Sequence, residues 1–338
     1  ATADAEAIRQ LRAAGAVLVA TSNMDEYAYG FVTVNAAHGT TRNPRDPARL
    51  AGGSSGGSAA MVAAGMVPLA LGSDTNGSIR VPAALCGLYG LKPTHGALPM
   101  AGVFPFVDSF DDIGPFAATI ADLDLAWRAL GGGGTAIDAP RVARLGGWFA
   151  RNVCATLAAG IDRIAGHLGS DTVVELSDVD RARSAAYVMT AGEGGARHLP
   201  ELRRRPLAFD PATRDRLLAG ALMPASYYRA AAAFRERFRV AIAKVFEAVD
   251  VLIAPCVGEV APRIDDPMMT VDGARVSARA QLGLFTQPLS FVGLPVIAAP
   301  LACPGLPLGL QLIGAPGSEA TLFALARRLE HDGLIGAS

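Results

Sequence analysis

Residues 52–82 read GGSSGGSAAMVAAGMVPLALGSDTNGSIRVP. Two glycine-rich turns, one around Ser54 and Ser55 and one around Thr75 to Ser78, are joined by an apolar run of helical length. Glycine is used where backbone must pass close to another group or take a positive φ, at an entropic cost. Turns that also hold serines bring backbone N–H groups and hydroxyls towards one small site. That is the material of an acyl-transfer centre, an activated nucleophile beside preorganised donors for an oxyanion.

Working outward, residues 5–14 carry Ile8 and Leu11 at helical spacing, and Gly15 follows as a C-cap. Residues 16–20, Ala-Val-Leu-Val-Ala, read as a strand buried on both faces. The spacing predicts a helix over 58–67, a short strand at 69–71 and another at 142–145 after a run of four glycines. Residues 151–249 are mostly helical in pattern, like a cap. Their clearest stripe runs through Tyr227, Ala231, Phe234, Phe238, Ile242, Val245 and Val249. Apolar runs at 251–255 and 296–300 return to strands, and a helix over 321–330 closes the chain. Helices feeding short two-sided strands are an α/β pattern. With no internal repeat, residues 1–338 read as one domain.

The chain has 338 residues, 51% apolar and 18% charged, with a formal charge of −1. It can bury a large core, and no basic block beyond Arg203-Arg204-Arg205 suggests nucleic acid as a direct partner. No apolar run reaches the ~18 residues of a membrane span. Ala1-Thr2-Ala3-Asp4 does not open like a signal peptide, so a cytoplasmic protein is expected. Cys86, Cys154, Cys256 and Cys303 lie far apart and read as small buried apolar residues. No phosphate loop, dinucleotide loop or zinc motif is present, so neither cofactor nor metal is expected.

Gly52-Gly53-Ser54-Ser55-Gly56 fits the GxSxG elbow of α/β-hydrolases. That elbow needs a strand before it and a late histidine. Residues 45–50 do not read as a strand, and His331 sits on a polar terminal segment. His38, His95, His167 and His198 are scattered, so the serine must be activated by another base.

The pattern GGSSGGS…GSDTNGSIRVPA, continuing through Cys86-Gly87-Leu88-Tyr89-Gly90-Leu91-Lys92-Pro93-Thr94, resembles the amidase signature family. The likeness runs from Asn23-Met24-Asp25-Glu26 through Ser109 to Pro115, Gly293-Leu294-Pro295 and 309–313, over most of the chain. It implies the fold of that family: a large, mixed, twisted β-sheet covered by helices on both faces. It also implies a Ser–cis-Ser–Lys mechanism. By resemblance Ser78 is the acyl-forming nucleophile, and Ser54, in a cis peptide, passes the proton between Ser78 and a neutral lysine. Backbone N–H groups of Thr75, Asn76, Gly77 and Ser78 match the oxyanion hole, Ser55 a supporting serine, and Asp74 and Arg80 positions that brace the loop.

The family's lysine lies on a strand upstream of the first glycine turn, whereas this sequence has only Lys92, which matches a structural position, and Lys244. The resemblance therefore implies a further N-terminal region; the alternative is a lysine-less, non-catalytic partner subunit. Within the family two branches compete. In the glutaminase branch, the A-type subunits of glutamyl-tRNA amidotransferases, Tyr187 resembles a substrate-binding tyrosine and Arg216 or Arg214 the arginine. The aspartate of that set falls near Gly283 and is absent. Segments such as 23–30, 145–149, 190–195 and 286–291 resemble instead the carboxybiuret-hydrolase branch. That likeness implies a small anionic, urea-like substrate held by Arg216 and Tyr187. It also implies a homodimer with a small accessory subunit.

Overall fold

Eight strands build the central sheet: β1 (Leu69–Asp74), β2 (Tyr89–Lys92), β3 (Asp112–Ala117), β4 (Val142–Leu145), β5 (Val173–Val174), β6 (Val251–Pro255), β7 (Val296–Pro300) and β8 (Gly309–Gly314). The computed structural model describes residues 3–336, so Ala1 and Thr2, where no signal peptide was expected to start, lie outside the described residues. Spatial order is β1-β3-β2-β7-β8-β6-β4-β5. Neighbours from β1 through β6 run antiparallel, while β6-β4 and β4-β5 are parallel. The sheet is thus mixed, as the family resemblance implies.

Its strands are apolar on both faces because both faces are covered. Val251 and Ile253 point into one core with Leu123, Ile164 and Leu322. Leu252 and Ala254 point the other way, towards Met189, Phe234 and Phe238. The first face is covered by α1 (Glu6–Ala13), α4 (Ile120–Ala129), α5 (Ala155–His167) and α11 (Glu319–His331). The second carries α2 (Gly56–Ala63) and α3 (Arg80–Cys86), together with α6 (Val179–Arg204), α7 (Pro211–Ala221) and α8 (Ala225–Ala248). Two one-turn helices, α9 (Ala278–Gln281) and α10 (Gln287–Ser290), complete that side. Among the described residues no helix is long and apolar enough to cross a membrane.

Three local expectations are corrected. Residues 16–20 form no strand: they have no regular secondary structure, and Val17, Leu18 and Val19 are largely exposed. Strand backbone needs a hydrogen-bonded neighbour. Here a cleft of about 460 Å³, lined by Leu11, Val17, Leu18, Met61, Leu69 and Leu71, separates this segment from the edge strand β1. Residues 46–50 do form a strand, Asp46–Leu50, but in a two-stranded ribbon with 42–43 outside the main sheet. The turn that follows is therefore not the exit from a central strand that the α/β-hydrolase elbow needs. On α8, Ala231, Phe234, Phe238 and Ile242 are buried as the stripe predicts, yet Tyr227 is 63% exposed in the first turn.

Candidate active site

The two glycine turns meet back to back. Ser55 N–H donates to the carbonyl of Ser78 at 3.3 Å. Ser55 Oγ donates to Ser73 O and accepts from Ser73 N–H, both at 3.1 Å, so this side chain links one turn to the other. The peptide bond between Gly53 and Ser54 is cis. Ser54 is fully buried, and its Oγ makes no hydrogen bond among the described residues. Its carbonyl accepts from Asp25 N–H at 3.1 Å and from Thr33 Oγ1 at 3.1 Å. Asp25 in turn accepts from the amides of Val32 and Thr33 and from Arg279. Burial pushes this carboxyl above its ordinary value while the Arg279 charge pulls it back.

The second turn is held from beneath by Asp74. Its carboxylate accepts from Gly77 N–H at 2.6 Å and Ile79 N–H at 3.2 Å, and pairs with the Arg80 guanidinium through Nε at 3.0 Å. Both side chains are 0% exposed. Burial alone would raise this carboxyl, but the charge and hydrogen bonds of Arg80 bring it below the ordinary carboxylate value. Arg80 also reaches Gln311, Ser290 and the carbonyl of Thr286. Asp74 and Arg80 therefore brace the loop from inside. Thr75 Oγ1 donates to Asp111 at 2.7 Å, and Asn76 Nδ2 to Thr190 at 2.9 Å.

These anchors decide which amides remain available. Gly77 N–H, expected among the oxyanion donors, is taken by Asp74. Thr75, Asn76 and Ser78 have N–H groups with no protein acceptor among the described residues.

Ser78 lines one small pocket with Tyr29, Phe31, Thr75, Asn76, Phe106, Tyr187, Thr190, Arg216 and Gln287. The tertiary structure thus brings Tyr187 of α6 and Arg216 of α7 to Ser78, from more than 100 residues away in sequence. Arg214 is on the other side of α7, paired with Asp215. The Arg216 guanidinium lies 3.6 Å from the centre of the Tyr29 ring and donates to the Tyr29 carbonyl at 2.8 Å. Burial pushes the Tyr29 phenol up to about 12, so it stays protonated at neutral pH. Among the described residues no carboxylate pairs with Arg216. Its charge is available to a ligand.

Among the residues of this pocket that were not singled out from the sequence as site residues are Thr190, Gln287 and Phe31. Thr190 and Gln287 lie in segments that resemble the carboxybiuret-hydrolase branch, which was their only signal. Phe31 explains Gly283. A Cβ at Gly283 would stand 2.5 Å from the Phe31 ring and 3.2 Å from Gln287 Cγ, so the volume beside it is already filled.

Neither lysine has the character of a general base here. Lys92 is fully buried, paired with the Asp112 carboxylate at 2.7 Å, and donates to Pro93 O (2.7 Å) and Leu294 O (3.2 Å). Lys244 is exposed on α8. Among the described residues no histidine lines the pocket.

Comparison with known proteins bears on the family. The Amidase family matches over residues 1–142 and 172–323. The AtzE component of 1-carboxybiuret hydrolase from Pseudomonas sp. (strain ADP) is 46% identical over 356 residues, covering 99% of this chain and 78% of that protein. The A-type subunit of the glutamyl-tRNA(Gln) amidotransferase of Roseiflexus sp. (strain RS-1) is 34% identical over 374 residues, covering 95% and 75%. A solved structure described as a vestigial protein complex that reveals the origins of an s-triazine catabolic enzyme superposes with a TM-score of 0.95 at 44% identity, covering 100% of this chain and 79% of the other. Sheet, paired glycine turns and family match coincide along nearly the whole length, and the chain belongs to the amidase signature family, hydrolases that act on carbon–nitrogen bonds.

Proposed function

We propose that the chain hydrolyses a small anionic amide of the urea type, such as a carboxybiuret, through an acyl-enzyme on Ser78. Ser78 Oγ attacks the carbonyl carbon while its proton passes to Ser54 and on to a lysine that neither Lys92 nor Lys244 supplies. The N–H groups of Thr75, Asn76 and Ser78 take the negative charge of the tetrahedral intermediate. The amine or ammonia leaves with the returned proton, and water releases the acyl group. Ser55 holds the two turns together throughout.

The observation that carries the substrate reading is the shared pocket of Ser78, Tyr187 and Arg216. An arginine without a carboxylate partner, beside a tyrosine, offers charge-assisted hydrogen bonds to a carboxylate. Against a glutaminase stands Gly283. The carboxylate that would hold the ammonium of glutamine is missing, and Phe31 occupies its volume. A homodimer and a small accessory subunit belong to the same proposal; in support of a partner, the similar solved structure is described as a protein complex.

Ammonia release measured side by side on carboxybiuret, biuret, glutamine and aryl amides tests the proposal. Turnover of carboxybiuret in preference to the others is expected. Release from glutamine alone would transfer the chain to the amidotransferase reading. Light scattering of the purified protein, with and without its co-expressed partner, tests the assembly.

A further inference from the structure

Gln287 opens α10 and is 3% exposed, yet its Oε1 accepts no hydrogen bond among the described residues. Asn76, 6% exposed, has its Oδ1 in the same state, although its Nδ2 is bound to Thr190. Both residues line the pocket of Ser78 and Arg216. A buried acceptor left without a donor loses its bond to water and gains nothing in return. Folded proteins leave few such groups, and those that persist call for a reason. Two of them on residues that line one pocket, beside an arginine with no carboxylate partner among the described residues, have a common one.

The position of Gln287 is not adjustable. Thr286, directly before it, donates through Oγ1 to the Asn76 carbonyl at 2.6 Å and accepts from Arg80 at its own carbonyl. Pro288 follows within the same turn of helix. The Gln287 backbone is thereby tied to the turn that presents Ser78, so its carboxamide is held in register with the reacting carbon.

We propose that Gln287 is a substrate-binding residue that accepts an N–H of a urea-type substrate, with Asn76 Oδ1 as a second acceptor, while Arg216 holds the carboxylate. The inference rests on the Ser78 pocket being the substrate site. It adds what distinguishes a urea from other anionic carbonyl compounds: N–H donors on both sides of the carbonyl, where a ketone or ester has none. An anion alone would be served by Arg216 and would leave both acceptors bare.

Calorimetric binding to the Ser78→Ala protein separates the two cases without requiring turnover. The probes are hydantoate, a ureido acid, and levulinate, the keto acid of the same shape in which both nitrogens are carbon. Hydantoate is expected to bind at least about tenfold more tightly, the worth of one to two buried hydrogen bonds. In the Ser78→Ala/Gln287→Met protein that advantage should fall below about threefold, with levulinate affinity nearly unchanged and Tm equal to or above that of the parent. An undiminished advantage, equal binding of the two probes, binding of neither, or a Tm lowered by the Gln287→Met change would each overturn the assignment. Failure of the hydrolase reading looks different: a Gln287-dependent preference for hydantoate with no ammonia released from any amide by the unsubstituted protein.

Discussion

Thr286 Oγ1 donates a 2.6 Å hydrogen bond to the carbonyl of Asn76, locking α10 onto the turn that carries Ser78. Gly77 makes this closeness possible. It has φ of +134°, and a Cβ there would coincide with the Thr286 side chain. Gly77→Ala is therefore expected to distort the turn on two counts, backbone conformation and overlap. Activity should fall at least ~100-fold, in line with the cost of misplacing reacting groups by about an ångström. Circular dichroism melting alongside ammonia release checks it; an active, equally stable variant would show that Thr286 does not shape the turn.

Ser78 and Ser54 should behave alike in activity and unlike ordinary buried residues in stability. Ser78→Ala is expected to lower kcat by about 10⁴–10⁶, as for covalent nucleophiles elsewhere. Ser54 Oγ is buried with no hydrogen-bond partner among the described residues, so Ser54→Ala removes an unpaired group. Stability should hold or rise while kcat drops ~100-fold or more. Retained turnover in either variant would remove that serine from the mechanism.

The Asp74–Arg80 pair is wholly buried and hydrogen-bonded on all sides. Arg80→Met leaves the Asp74 carboxylate without its countercharge and should cost about 3–5 kcal/mol. Denaturant titration reads this directly. A loss below ~1 kcal/mol would mean that the surrounding amides suffice.

Lys92 offers a contrast with a catalytic base. Its removal in Lys92→Met strands Asp112 in the core and should destabilise by a similar ~3–5 kcal/mol. Turnover per folded molecule should change little. A large fall in kcat at unchanged Tm would instead place Lys92 in the chemistry.

Acid stability follows from the same two carboxylates. Asp74 and Asp112 both sit below the 3.8 of an ordinary aspartate, burial opposing and Arg80 or Lys92 prevailing. Their contribution is therefore complete above pH ~4 and is lost as the pH falls through the lower folded values. Urea midpoints measured from pH 6 down to pH 2 should drop below pH ~4 in the parent, and less steeply in Asp74→Asn. A flat profile would contradict the pairing.

Much of this was legible in the chain itself. Alternating turns and apolar runs established an α/β enzyme, and the spacing of glycines and serines in residues 52–82 marked both turns of the site, because such turns demand particular residue types locally. Residues 16–20 misled, since an apolar run reports burial propensity and not whether a neighbouring strand is hydrogen-bonded to it. Asp46 to Leu50 misled the other way: a ribbon strand stabilised by its partner needs little apolar pattern of its own. Tertiary structure alone decided that Arg216 rather than Arg214 reaches Ser78, that Asp74 takes the Gly77 amide, and that Phe31 fills the space beside Gly283. It also set two acceptors, on Gln287 and Asn76, in one pocket without donors. Apart from the local Asp74–Gly77 contact, these depend on the approach of segments more than 100 residues apart, which local propensity does not encode and which only the packing of α6, α7 and α10 against the sheet brings about.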